Sequence, residues 1–531
     1  MKVYKGHVLT CDEKNSTAKY LVEKKGIIAF VGDELPAEYS KALETGEAEM
    51  VDLDEKALIP PFVDSHIHFA SYATFHAGLN VMDAKSNQEI LELLRQFAAD
   101  AKEKLLIGFG ASPYSVAEGR MVTRAELDEA CPDKPLFMVK YDGHACVVNT
   151  ALLEKVRKKV EHLRGYHEDT GEMNQEAFFA ISDYVTNSIP IFQLLKNMQK
   201  AVDDLAERGI AMIHTVSGVG FTGDLDVDLE RWFADGLDNG IKLRVYMQTL
   251  DVKKAKKRKM TRIGGCFDAA LDGCFGSADA AMIEPYEGTD NCGVLYYDDE
   301  TVIDFCKKTN REGMQIQLHA IGDRAFDQAT RAIKAALDDY PRKDHRHGVI
   351  HACLPTEEGL EICKNYGIVL PVQSAFINWK QEPEAHMAQM LGEARSLKMN
   401  PLADFQKAGI VMSGGSDGPC TEPDPIDWIH KACNHSVPEQ ALTVEEALKM
   451  CTYNGYYTSF DEKKAGSLEL GKSADMVILS GNPYTTPKEE LNQLKVEQLL
   501  LRGKPYEKVK KGAVPQVLRG LSRSLRSVGC P

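Results

Sequence analysis

Short apolar runs alternate with amphipathic stretches across the second half of this chain, and glycines often mark the change from one to the other. Helical spacing over 197–208, 225–238, 300–312, 324–337, 357–365 and 402–408 is followed each time by a strand-like run, at 210–216, 243–248, 314–319, 348–351, 368–372 and 410–413. A further run at 265–271 reads as another strand. Strands and helices that alternate at these lengths predict parallel βα units. Together with the buried strand expected at 59–69, they suffice to close a (β/α)8 TIM-like barrel, an α/β fold.

The rest of the chain does not follow this rhythm. Residues 3–10, 20–23 and 27–31 are short β-rich pieces separated by turns, and 466–479 and 496–501 are again strand-like. They predict a small composite β-sandwich domain drawn from both chain ends, 1–57 and 466–531, around a barrel spanning 58–465. After the first barrel strand, about 75–205 is too long for a simple βα connection. With strand candidates at 105–109 and 135–141, it reads as a large insertion able to roof a site. Inside it, Asp142-Gly143-His144-Ala145 and the stretch around Glu176 are the polar clusters best suited to face a ligand, although turn chemistry explains them equally well.

Candidate chemistry collects where barrel strands end. In Phe62-Val63-Asp64-Ser65-His66-Ile67-His68, residues i and i+2 of a strand share a face, so His66 and His68 aim two imidazoles at one point. His319 and His351 close two later strands, and Asp417 follows the small-residue approach Ser413-Gly414-Gly415-Ser416. Four imidazoles and a carboxylate are the N and O donors of a borderline metal, zinc, iron or manganese.

Composition narrows the class. With 531 residues, 44% apolar and 27% charged, the chain has ample material for a globular core, and its net charge of -16 argues against a nucleic-acid partner. Without a signal-like apolar start or a run long enough to span a bilayer, a cytoplasmic protein without a membrane partner is expected. Thirteen cysteines without C-x-x-C spacing fit reduced thiols. Cys353 and Cys420 read as buried packing thiols. The basic run 253–259 reads as a solvated helix or loop. In the basic tail 508–526, Leu518, Leu521 and Leu525 at helical spacing suit packing on another subunit or on the chain's own barrel.

The segments 61–68, 142–144, 270–277, 319–325, 350–352 and 414–417 resemble the amidohydrolase superfamily, and within it the YtcJ-like branch that includes N-substituted formamide deformylases. The resemblance implies that His66, His68, His319 and His351 hold or flank the metal, while Asp417 touches it and acts as the base. Many relatives carry a lysine, carbamylated and bridging two metals, four residues before the Asp-Gly of the fourth barrel strand. By that count this chain has Asp268, which favours a single ion, zinc first. Lys140 is a fallback carbamate candidate, a surface or substrate-facing lysine being the plainer reading.

The expected chemistry is attack of metal-activated water on the carbonyl carbon of a small non-peptide amide, which cleaves its C–N bond. Asp417 serves as base and then acid, and His319 or His351 helps to stabilise the oxyanion. His144, Glu176 and Arg324 are candidates for substrate or supporting contacts, and Asp323 and Asp268 for orienting the imidazoles. Deamination of a heteroaromatic ring by a mononuclear site and a catalytically silent scaffold are the alternatives. The resemblance also leads us to expect a small-molecule substrate and a homo-oligomer.

Overall fold

The structure, a computed structural model, describes residues 1–218, 220–508 and 512–526, without the side chains of 525 and 526. Eight parallel strands line the centre: β1 (Phe62–Ile67), β2 (Ile210–Ser217), β3 (Lys242–Met247), β4 (Arg262–Ala270), β5 (Gln315–Ala320), β6 (Gly348–His351), β7 (Leu370–Val372) and β8 (Met412–Gly414). β1 to β6 pair in sequence order in one sheet, and β7 pairs with β8. Hydrogen bonds close both gaps. Val349 and Val369 join β6 to the approach of β7, and Ser65 Oγ donates to the Ser413 carbonyl between β1 and β8. This is a TIM-like barrel, with helices such as Ile191–Glu207, Asp299–Arg311 and Asp323–Asp339 around it.

Every residue of β1, β2 and β5 is buried, as strands covered on both faces require. The helix Asp323–Asp339 buries Ala325, Phe326, Ala329, Ile333, Ala336 and Leu337, a stripe at three- and four-residue spacing that docks on the strands.

Between β1 and β2 the chain builds a second sheet of five strands, Leu79–Asn80, Leu106–Ala111, Leu136–Lys140, Ala145–Val148 and Glu172–Asn174. Its residues alternate between two cores: Phe109, Phe137 and Val139 face one, and Leu106, Leu136 and Met138 the other. A third sheet of seven strands joins the chain ends. Glu49–Ile59 lies parallel to Lys2–Leu9 on one side and antiparallel to Met476–Leu479 on the other. The strand-like stretch 466–479 is a strand only at Met476–Leu479, because Gly466 and Gly471 take left-handed φ of 93° and 84° and turn the preceding chain.

The tail forms a helix, Ala513–Arg526, that lies on the chain's own barrel helix Leu225–Gly236. Of the leucine stripe, Leu521 is half-buried and the side chain of Leu525 lies outside the described residues. Leu518 is 60% exposed, whereas Ala513, Gln516 and Val517 are buried. The basic run folds as the helix Val252–Lys257, with Lys254 and Arg258 paired to Asp224 and Lys256 to Glu312. Among the described residues no helix is long and apolar enough to cross a membrane.

Candidate metal centre and active site

The last strand is laced onto the first at the mouth of the barrel. Asp64, fully buried, accepts the Ser416 N–H at 3.0 Å, the Ser416 hydroxyl at 2.6 Å and the His66 N–H at 3.3 Å. Burial pushes its carboxyl up to about 7. The Asp417 N–H donates to the His66 carbonyl at 2.8 Å, and the His68 N–H to that of Gly418 at 2.9 Å. Gly415 makes this approach possible, since a Cβ there would lie 2.7 Å from the His66 nitrogen. The small-residue run therefore brings Asp417 to the two histidines.

Side chains then converge. Asp417 Oδ1 lies 3.1 Å from His66 Nε2 and 3.3 Å from His68 Nε2. Cys266 Sγ lies 3.5 Å from His66 Nε2 and 4.0 Å from His351 Nε2. Three overlapping groups result, His66–His68–Cys266, Cys266–His319–His351 and His66–His351–Asp417, each with its donor atoms within 4.8 Å of one another. Asp417 Oδ1 is buried, yet no hydrogen bond is aligned onto it.

These spacings fit a metal. Tetrahedral zinc, with bonds of about 2.0–2.1 Å to N or O and about 2.3 Å to S, sets its N···O edges at about 3.3 Å and its S···N edges at about 3.6 Å. Burial pushes His66 and His351 below the usual histidine range, which leaves them neutral with lone pairs to offer. Burial alone would raise the Asp417 carboxyl, but His66 and His68 beside it hold it well below the usual carboxylate range. His351 and Asp417 adopt left-handed φ of 71° and 55°, and Phe267, next to Cys266, one of 47°, strain of the kind that collects at functional sites.

The groups that orient the imidazoles differ from those expected. Gln373 Oε1 faces His351 Nδ1 at 2.6 Å, and Asp272 Oδ1 faces His319 Nδ1 at 3.2 Å. Asp272 also accepts the N–H groups of Ala281, Ile321 and Gly322, which fixes the loop after β5. Asp323 accepts the Ile283 N–H instead, and its neighbour Arg324 donates its own N–H to Ala281. Of the described residues, Asp323 and Arg324 do not line the cavity.

Asp268 is exposed, and Cys266 points into the cluster in its place. The cause is a bulge: the pairing of β4 with β5 shifts between Gly265 and Ala270, so counting back from Asp272 misplaces the inward residue. Sequence reasoning missed Cys266, although the paired glycines before it were a visible sign of irregular strand.

The cluster opens into a cavity of about 1080 Å³ between the barrel mouth and the inserted sheet, walled by Phe109, Phe178, Phe267, Phe376 and Trp379 among others. Lys140 and His144 line it. Lys140 Nζ sits 2.7 Å from Asp142. Burial would lower its pKa, but that carboxylate raises it, which favours the protonated amine. Glu176 stands at the exposed rim, forked by Arg164 at 2.8 and 3.1 Å. On the far wall Glu382 accepts the Tyr141 hydroxyl at 3.0 Å, and burial pushes it up to about 7. Cys353 and Cys420 line the cavity with thiols pushed up by burial, in keeping with packing roles.

Residues 49–506 match the model of the amidohydrolase family. YtcJ of Bacillus subtilis (strain 168) is 25% identical over 95% of this chain and 98% of its own length. The N-substituted formamide deformylase of Arthrobacter pascens is 24% identical over 95% and 97%. The crystal structure of an uncharacterized metal-dependent hydrolase from Pyrococcus horikoshii OT3 superposes with a TM-score of 0.73 at 23% identity, covering 92% of this chain and 99% of that one. This chain belongs to the amidohydrolase family.

Proposed function

We propose that this protein is a metal-dependent hydrolase that uses water to cleave a non-peptide C–N bond in a small N-acyl or N-substituted amide. The observation that carries this reading is Asp417 Oδ1, buried and facing His66 Nε2 and His68 Nε2 at 3.1 and 3.3 Å with no hydrogen bond aligned onto it. Donor atoms gathered this closely suit a cation among them. We read that cation as zinc, held at least by His66, His68 and Asp417, with iron or manganese suited to the same donors.

When bound, such a metal lowers the pKa of water to about 7 and draws electron density from an amide carbonyl. Asp417 takes the proton of the attacking water and returns it to the leaving nitrogen, base first and acid second. His351, with Nδ1 turned to Gln373, presents a lone pair inward and serves as a ligand rather than as a donor to the oxyanion. The aromatic walls and the size of the cavity suit a small, largely apolar substrate. Relatedness to a deformylase supports amides as the first class to try. In the same reading the seven-stranded sheet is one layer of a β-sandwich domain that braces the barrel.

The test is elemental analysis of the wild type, His66→Ala and Asp417→Ala, with a panel of N-acyl and N-formyl amines assayed in parallel. Metal lost from the histidine variant and turnover lost from both is the expected result. Ammonia released from ring amines, with the amides untouched, would replace this reading with deamination. Absence of both metal and turnover would leave a silent scaffold.

A further inference from the structure

The chain after β7 carries Gln373, Phe376, Trp379 and Glu382 at every third residue, and these lead outward from the candidate metal centre. Gln373 faces His351, the Phe376 ring stacks beside that of His351 with centroids 5.9 Å apart, and Trp379 stacks on Phe376 at 5.1 Å. Glu382 comes next, its N–H donating to the Trp379 carbonyl at 3.0 Å. We propose that Glu382 binds a protonated amine of the substrate, so that the protein acts on amides that carry a second, cationic nitrogen. This rests on the amide-hydrolase reading above and deepens it.

Charge in the cavity is lopsided. Among the described residues Lys140 and Arg164 are the only lysine and arginine that line it, and each is already engaged. Lys140 Nζ is held by Asp142 at 2.7 Å and lies over the rings of Tyr141 and Tyr114, 5.0 and 5.7 Å from their centroids. Arg164 forks Glu176. Glu382, Asp183 and Asp268 line the same cavity, and among the described residues none of the three forms an ion pair. Burial, and after it the charge of Asp268, holds the Asp183 carboxyl above the usual range. A substrate ending in a carboxylate would meet no free cation here, whereas one ending in an ammonium is drawn in by the field of the walls.

Of the three, Glu382 is the one built into the wall. Tyr141, fully buried, donates its hydroxyl to Glu382 Oε1 at 3.0 Å and packs edge-on against Trp379, with ring centroids 5.2 Å apart. Gly276 leaves room for that oxygen, since a Cβ there would lie 2.6 Å from it. Burial pushes the Glu382 carboxyl up to about 7, and Asp142 adds to the rise. An ammonium beside it supplies the countercharge and favours the ionised form. Between His351 and this carboxylate the cavity is lined by Phe376 and Trp379, rings that cover methylenes and also attract a cation. The body of the substrate is therefore apolar, with the amide at one end and the charged nitrogen at the other.

The experiment uses the full chain as purified and amides matched in length. N-pentylacetamide ends in a methyl, N-acetylputrescine replaces that methyl by an ammonium, and N-acetyl-γ-aminobutyrate ends in a carboxylate. The butylamide of δ-aminovaleric acid, set against that of hexanoic acid, moves the charge to the acyl side. In at least one pair the ammonium member should exceed its neutral partner in kcat/KM by about 10- to 100-fold, and the carboxylate should fall below both. Glu382→Gln should shrink that preference to within a few-fold, and Glu382→Asp should retain most of it. Calorimetry with hexylammonium, hexanol and hexanoate reads the same site without turnover, and the wild type should bind the ammonium about 10-fold or more tighter than the alcohol. If Glu382→Gln fails to fold, the wild-type orders of turnover and of binding decide the matter. A neutral or anionic probe preferred in both measurements, or a preference for the ammonium that survives in Glu382→Gln, would overturn the assignment. Amides left uncleaved throughout would overturn the hydrolase reading instead, while the calorimetric order would still judge Glu382.

Discussion

Gln373 Oε1 lies 2.6 Å from Nδ1 of His351, both buried, and this contact decides which nitrogen of the ring looks into the barrel. With Nδ1 as the donor, Nε2 keeps its lone pair for a metal. Gln373→Leu removes the acceptor while keeping much of the volume. The expected outcome is metal affinity weakened about 10- to 100-fold, measured by competition with a chelator, with Gln373→Glu much less affected. An unchanged affinity in Gln373→Leu would remove His351 from the ligand set.

Asp417→Asn tests the proton carrier. The amide keeps the shape of the carboxylate and can still offer an oxygen, but it cannot accept a proton from water. Turnover of any amide that the wild type hydrolyses should fall about 10²- to 10⁴-fold. A kcat within a few-fold of the wild type would assign the proton transfer to another group.

How the sequence led to this site is instructive at Cys266 and Asp268. The alternation of helix and strand, the His66-Ile67-His68 spacing and the Gly414-Gly415 approach are local patterns with one structural solution, and each led to the right strand end. The inward residue of β4 was not legible, because the bulge between Gly265 and Ala270 arises in the pairing of β4 with β5, a strand distant in the chain. For the same reason Asp272 and Gln373 were passed over. Their roles come from a loop and a neighbouring strand meeting His319 and His351 in space, while the nearer candidates Asp323 and Arg324 turn to the backbone around Ala281 and Ile283.

Glu230 gives the stability a pH dependence. The carboxyl is fully buried, accepts the Ala70 N–H at 3.1 Å and meets the Ser217 hydroxyl. Burial raises its pKa from 4.5 to about 8. Between those values the folded chain keeps a proton that the unfolded chain has released, so stability is fully present below the lower one and declines as pH rises to the upper one. The decline is on the order of a few kcal/mol. Glu230→Gln, neutral at every pH, should abolish it: denaturant midpoints of wild type and variant should diverge above about pH 8 relative to about pH 5. Parallel pH profiles would show that Glu230 does not titrate in this way.

The C-terminal helix depends on two glycines for its seat. A Cβ on Gly520 would lie 1.8 Å from the Trp232 carbonyl oxygen, and one on Gly236 the same distance from that of Gln516, so the two helices touch backbone to backbone. Arg519 pairs with Asp238 and Arg523 reaches the Asp235 carbonyl, which fixes the register of the contact. Gly520→Ala cannot be absorbed by a side-chain rotation, because the obstacle is main chain. It should cost about 1–3 kcal/mol, the range for forcing an extra carbon into a filled contact. Helix propensity alone pulls the other way, since alanine favours a helix by about 1 kcal/mol over glycine. A lowered melting temperature, with faster proteolytic clipping near residue 512 and unchanged metal content, is therefore the signature of lost docking. A raised melting temperature would mean that propensity outweighs the contact and that the barrel does not need this helix for its stability.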